Sequence, residues 1–177
     1  RPVKHLPQFI ENLARTAEEF GVDEIVFTHD ACYNVATTLA VQQGVKVPFR
    51  PVHILEYIRN WLRDHPDRIV NPLDIRIAVP GGCTTRYAPK GGDREIWSDW
   101  LADIFDLIGV TSVEEKRVYT GVDRLCCGCG IFHTQHERAV DIQRKNVQDA
   151  ADAGAEQLLF ICPACISVMR APCRKMK

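Results

Sequence analysis

Cysteines are the residues in this sequence that could carry chemistry, and eight of them occur in 177 residues. Five of them follow an ordered pattern. A single cysteine, Cys83, is followed by the adjacent pair Cys126-Cys127 and then by a Cys-x-x-Cys formed by Cys162 and Cys165. A disulfide framework is typical of small, loop-rich secreted domains, whereas this sequence alternates helical and strand patterns and shows no signal peptide. We therefore expect a reducing, cytoplasmic setting, in which clustered cysteines hold metal or do redox chemistry.

The order of these cysteines favours a multi-iron cluster. Four thiolates suit either tetrahedral zinc or a conventional iron–sulfur cluster. Zinc sites normally use two Cys-x-x-Cys-like pairs, and the side chains of the neighbours Cys126 and Cys127 diverge, so one ion would hardly bind both. Soft thiolates are typical ligands of iron–sulfur assemblies. We predict an iron–sulfur cluster, with structural zinc and inert or disulfide-bonded cysteines as alternatives.

The elements that must position the cysteines alternate between helix and strand. Apolar periodicity predicts strands over 24–28, 74–79, 116–120 and 157–161. It predicts helices over 8–20, 32–42, 52–63, 93–108 and 137–153, with a final helical turn over 163–169. This alternation indicates an α/β fold around a mainly parallel sheet. Each cysteine group of the pattern follows a predicted strand, and the ends of parallel strands gather at one edge of a sheet.

The sequence also repeats itself. Residues 21–32 align without a gap on residues 154–165, at a constant offset of 133 positions, with Gly21, Phe27, Ala31 and Cys32 meeting identical residues. Such self-similarity indicates two copies of one supersecondary unit. Because His29 stands where the second copy has Cys162, the metal site of the first copy is degenerate or incomplete. We predict a tandem pseudo-repeat with an incomplete first copy, in which residues 1–70 are the end of the first half and residues 71–177 are a complete cluster-binding half.

The ordered motif Cys…Cys-Cys-Gly…Cys-x-x-Cys resembles that of the cysteine-rich CCG domain family, as found in the B subunit of heterodisulfide reductase. A related domain occurs in the K subunit of the sulfite-reduction-associated membrane complex. The resemblance covers residues 74–169 with the full motif and residues 8–45 as the end of a preceding copy. It implies a non-cubane [4Fe-4S] cluster bound by five cysteines, here Cys83, Cys126, Cys127, Cys162 and Cys165. It also implies an oxidoreductase subunit of anaerobic metabolism, at whose cluster electrons pass to or from a disulfide or thiol substrate.

Two other functions stay open on the sequence alone. The chain could be the iron–sulfur electron-relay subunit of a 2-hydroxyacid or glycerol-3-phosphate dehydrogenase complex, or a structural zinc-binding module. The sequence has no ferredoxin-type cysteine run, no flavin fingerprint and no phosphate-binding glycine loop. We therefore expect partner subunits that carry conventional iron–sulfur clusters or flavin, and activity only within such a complex.

Three further residues are weaker candidates for a catalytic role. His133 follows the cysteine pair and could donate a proton, although a polar loop position explains it as well. Cys129 adds a sixth thiol close to the pair, and Arg86 follows Cys83 and could contact an anionic substrate. Of the remaining cysteines, Cys173 is expected to be incidental, and Cys32 is expected to be unligated or a lesser ligand completed by residues from elsewhere.

Composition excludes several classes of partner. The formal net charge is −1, from 22 basic and 23 acidic residues, so the basic excess of a nucleic-acid-binding protein is missing. No run of 18 apolar residues occurs, so we predict no direct insertion into a membrane, and any membrane association would be peripheral through a complex.

Overall fold

The computed structural model describes residues 4–81, 94–120 and 123–175, and it shows a mixed α/β fold with two small parallel sheets. The first sheet pairs β1 (Glu24–Phe27) with β2 (Arg50–His53). The second sheet has the order β4-β3-β5, formed by Val110–Ser112, Ile75–Ala78 and Gln157–Leu158. All three strand pairings are parallel, as the alternation of patterns predicts.

Helices connect and cover these strands. The helices are α1 (Leu6–Glu19), α2 (Asp30–Asn34), α3 (Ala40–Gln42), α4 (Ile54–Asp64), α5 (Arg94–Ile108), α6 (His136–Asp152) and α7 (Pro163–Lys175). A π-helical stretch, Val35–Leu39, joins α2 to α3, and short 3₁₀ turns lie at Pro66–Arg68, Glu114–Lys116 and Cys129–Ile131. No helix in the described part of the chain is long and apolar enough to cross a membrane.

The internal repeat is visible in the positions of the elements. The repeat units are α1–β1–α2 and α6–β5–α7, and their first helices end at Glu19 and Asp152, 133 residues apart. Both helices close on a glycine with a left-handed backbone, with φ of 64° at Gly21 and 84° at Gly154. The strands and the second helices also start at this offset, so the two units share one local structure.

Two apolar cores lie beside the two sheets. The core of the first sheet is built from residues 6–49: Leu6, Ile10, Phe27, Ala36, Ala40 and Phe49. The core of the second sheet is formed by Leu55, Ile77, Val79, Trp100, Leu101, Ile104, Phe105 and Val110. Since Leu55 of α4 belongs to this second core, α4 packs on the part of the chain that carries the cysteine pattern.

Four predicted elements differ from the structure. The strand predicted over residues 157–161 spans only Gln157–Leu158. Residues 50–53 form β2, so the helix predicted from residue 52 begins only at Ile54, and the last helix runs to Lys175 rather than ending at residue 169. The prediction of a strand over residues 116–120 is wrong, because the strand that pairs with β3 on this side is β4, at Val110–Ser112. As a result, Cys126 and Cys127 do not follow a strand directly.

A buried ion pair holds the segment after β4 against α6. The Arg117 guanidinium has no exposed surface and donates to Asp149 Oδ2 at 2.9 Å and to Glu114 Oε1 at 3.1 Å. Asp149 also accepts the backbone N–H of Val118 at 2.8 Å and of Tyr119 at 3.4 Å. The irregular segment that leads toward the cysteine pair is therefore anchored by one carboxylate.

This network predicts a large loss of stability on removing its carboxylate. In Asp149→Ala, the Arg117 charge stays buried but keeps only one of its two carboxylate partners, Glu114. Breaking a buried pair in this way typically costs about 3–5 kcal/mol. We expect a loss of about that size in the free energy of unfolding, measured by urea denaturation of the 177-residue chain. The matched control is Asp141→Ala on the same helix, since Asp141 pairs with Lys145 at 2.9 Å on the exposed face and its loss should cost at most about 0.5 kcal/mol. Equal losses in the two variants would contradict the structural role of Arg117.

Candidate metal centre

Thiols from two separated segments meet in one apolar cluster. Cys127 and Cys165 are 2% and 3% exposed and pack with Val147 and Met169. Three further cysteines are half-buried against this cluster: Cys129, Cys162 and Cys173. The cysteine pair and the Cys-x-x-Cys therefore lie together in space, although they are separated by the whole of α6 and β5.

Helix α6 positions the cysteine pair through its polar side chains. The amide of Gln143 donates to the Cys127 carbonyl at 3.1 Å. The amide of Asn146 donates to the carbonyls of Leu125 and Cys126, at 3.0 and 3.1 Å, and its oxygen accepts from Arg117 at 3.0 Å. Both side chains are almost completely buried, so the loop relies on them where neither strand nor helix supplies partners.

Gly128 turns the chain directly after the pair. Its φ is 74°, in the left-handed region that glycine adopts without strain, and an added Cβ would meet Ala139 Cα at 3.2 Å. The turn directs the Gly128 N–H to the sulfur of Cys126, 3.2 Å away. A glycine is required here both by the backbone and by the close approach of α6.

The thiols of Cys127 and Cys165 share a hydrogen bond and ionise as a pair. Donation by Cys165 lowers the pKa of Cys127 to about 6, helped by the backbone N–H of Cys129 and opposed by burial. The same hydrogen bond, with burial and the charges of Cys127 and Cys162, raises the pKa of Cys165. In the metal-free protein this hydrogen bond thus favours a pair with one thiolate and one protonated thiol.

The sixth thiol of this region, Cys129, keeps its proton as well. Burial raises its pKa, and the neighbouring charges of Cys127, Cys162 and Cys126 raise it further. Cys129 itself packs against the cluster formed by Cys127 and Cys165. A thiol that retains its proton at neutral pH is a poor nucleophile, since the thiolate is the reactive form.

The first repeat unit reaches this site through a histidine. His29 Nε2 lies 3.3 Å from the sulfur of Cys162. These two residues are the equivalent positions of the repeat, so the two units meet at the same point of their structures. Cys32, the equivalent of Cys165, is not part of the thiol cluster and packs with the apolar core of the first sheet.

Three other residues were predicted to belong to the site: Cys83, Arg86 and His133. Cys83 and Arg86 lie outside the described residues. Gly81, two positions before Cys83, packs against the loop before the cysteine pair, where an added Cβ would meet Arg124 Cβ at 2.7 Å. His133 is exposed, and its ring packs against Phe132 in an edge-on arrangement with 5.6 Å between the ring centres.

The described sulfurs come from two loops. The Gly128 N–H points at the sulfur of Cys126, which suits a thiolate ligand. Within residues 4–81, 94–120 and 123–175, no three His, Cys, Asp or Glu side chains are arranged to hold a single metal ion. The five-cysteine ligand set remains a prediction.

Residues 106–170 match the family model of the cysteine-rich domain (CCG). The matched segment contains Cys126, Cys127, Cys162 and Cys165, and it begins after Cys83. This cysteine-rich domain is consistent with an iron–sulfur-binding module. The comparison thus agrees with the sequence and the structure in placing the cysteine-based chemistry in the second half of the chain.

Sequence reasoning missed the residues that support the cysteines. Gln143, Asn146 and Asp149 recur every third residue along α6 and are all buried. The sequence did contain one signal. Helix α6 has few apolar residues, so some of its polar side chains had to face the protein interior. The role of His29 was missed because its contact with Cys162 exists only in three dimensions.

We predict that Asn146→Ala loosens the cysteine pair without removing a ligand. The substitution leaves two loop carbonyls and part of the Arg117 guanidinium without their partner, and each such buried group costs about 1–3 kcal/mol. We expect a lower free energy of unfolding and clearly less bound iron per chain after anaerobic reconstitution, measured by urea denaturation and iron analysis. The control is Gln148→Ala, because the Gln148 amide donates only to Asp152 on the exposed face of the same helix. Wild-type iron content in Asn146→Ala would show that the loop holds its shape unaided.

Proposed function

We propose that this chain binds a non-cubane [4Fe-4S] cluster through Cys83, Cys126, Cys127, Cys162 and Cys165, as a subunit of a heterodisulfide reductase-like enzyme. The observation that carries the proposal is the meeting of the Cys126-Cys127 loop and the Cys162-x-x-Cys165 segment in one apolar cluster. The contact of Gly81 with Arg124 supports the fifth ligand, since it ties the strand end before Cys83 to the loop before Cys126.

The residues of the chain would hold the cluster and set its surroundings. A bound iron–sulfur cluster supplies one-electron transfer at a potential set by its charge, its hydrogen bonds and its exposure. Val147 and Met169 exclude water from the inner side of the site. The Gly128 N–H faces the sulfur of Cys126, and His29 Nε2 faces that of Cys162. The protein thereby provides an apolar wall on one side and polar groups against the sulfurs on the other.

The proposed reaction is the reduction of a disulfide, or its reverse. The S–S bond of the substrate breaks, two S–H bonds form, and two electrons and two protons are consumed. The electrons come from a partner subunit that carries conventional iron–sulfur clusters or flavin, because the sequence encodes no ferredoxin-type run of its own. We place this complex in the cytoplasm, or at a membrane surface through its partner.

The first test concerns the ligands. We expect Cys126→Ala and Cys162→Ala to lose most of the iron and sulfide bound by anaerobically purified protein, because each removes a ligand. Cys32→Ala is the matched control: Cys32 is the repeat equivalent of Cys165 but packs in the core of the first sheet, so its iron content should stay near wild type. If Cys32→Ala halved the iron content, the first repeat unit would carry a working site, contrary to this proposal.

The second test concerns the reaction. With its partner subunits, the protein should release thiols from a heterodisulfide when a reduced low-potential dye supplies electrons, and the isolated chain should show little turnover with physiological donors. Thiol release is measured directly, and Cys126→Ala serves as the inactive reference. A cluster that is reduced and reoxidised without thiol release would identify an electron relay instead, and zinc without iron would identify a structural module.

A further inference from the structure

The hydrogen bonds of His29 fix which of its ring nitrogens carries the proton. His29 precedes α2, and its Nδ1 accepts the backbone N–H of Ala31 at 3.2 Å, which caps the helix. A neutral imidazole has one acceptor and one donor nitrogen, so the proton is on Nε2. The group that faces the Cys162 sulfur at 3.3 Å is therefore an N–H donor.

The frame around His29 holds this donor in place. The next residue, Asp30, is buried and its Oδ1 lies 3.1 Å from Nε2 of the buried His53. His53 in turn caps α4, with Nδ1 accepting the Leu55 N–H at 3.1 Å, and its ring stacks on Trp100. The start of α2 is thus tied to the core that carries the second sheet, so the imidazole cannot swing away without breaking buried contacts.

We propose that His29 is a positioning residue that donates an Nε2–H···S hydrogen bond to the Cys162 thiolate and so raises the reduction potential of the cluster. The proposal rests on the proposed function, since it requires Cys162 to be a ligand. The first repeat unit, which does not supply a cysteine at this position, then serves the metal centre of the second unit as a hydrogen-bond donor.

The sign of the effect follows from charge. Reduction adds one negative charge to the iron–sulfur group and its thiolates, and a hydrogen bond to a charged acceptor strengthens as that charge grows. The donor therefore stabilises the reduced state more than the oxidised state. Hydrogen bonds to the sulfurs are among the factors that set iron–sulfur potentials.

Two substitutions separate the two functions of the imidazole. In His29→Asn, the amide oxygen stands as many bonds from Cβ as Nδ1 does, and asparagine is a preferred helix cap, so the cap is kept and the donor to Cys162 is lost. In His29→Gln, the amide nitrogen stands as many bonds from Cβ as Nε2 does, so the donor is kept and the cap is weakened. A merely structural histidine would give the opposite order of effects.

The experiment is a redox titration of the iron-loaded protein, followed by electron paramagnetic resonance. We expect His29→Asn to bind as much iron as the wild type but to have a lower reduction potential. The shift should reach up to about 59 mV, which is a tenfold change in the one-electron equilibrium constant. His29→Gln should recover most of that shift. Nitrogen-15 spectra of the metal-free wild type should independently show His29 protonated at Nε2.

The outcomes distinguish this inference from the function on which it rests. Wild-type protein without iron would overturn both. Normal iron content with an unchanged potential in His29→Asn would overturn the role of His29 alone, as would a proton found on Nδ1. A potential that falls in His29→Gln but not in His29→Asn would assign His29 to helix capping only.

Discussion

The site depends on finding hydrogen-bond partners for a buried loop that belongs to no sheet. The backbone at Leu125, Cys126 and Cys127 is neither strand nor helix, and buried carbonyl groups without partners are costly. Helix α6 resolves this by turning Gln143 and Asn146 inward, and these two amides account for the carbonyls of all three residues. The position of the cysteine pair is consequently set by a helix that follows it in sequence.

The repeat gives the site its second side. Two copies of a helix–strand–helix unit meet at equivalent positions, and this arrangement resembles the self-complementary contact across a two-fold axis of a dimer. A symmetric pair would place identical residues in contact, but the two copies present His29 and Cys162 to each other. The asymmetry turns a contact between like thiols into one between a donor and an acceptor.

Sequence patterns predict the elements that have their own periodicity and miss those that depend on distant partners. The helix ends at Gly21 and Gly154 and the strand before Gly81 follow from local signals. Strand β2, by contrast, is four residues long and contains Pro51, and β4 has only three residues, so neither forms a pattern. The segment after β4 has the sequence pattern of a strand, but among the residues that the structure describes no neighbouring strand holds it in place. It is held instead by the buried Arg117, which pairs with Asp149 and Asn146 on α6.

The same division applies to the metal centre. Cysteine type and order suggest the ligands, because thiolates are the groups that bind iron, but the sequence does not show what balances their negative charge in an apolar cluster. The structure supplies a donor for each of several sulfurs: the N–H of Gly128 for Cys126, that of Cys129 for Cys127, and the imidazole of His29 for Cys162. The first two donors follow from the tight turn at Gly128 and are local. Only the third comes from the other repeat unit. A cysteine at position 29 would remove this imidazole donor, and as a thiolate it would also repel the thiolate of Cys162.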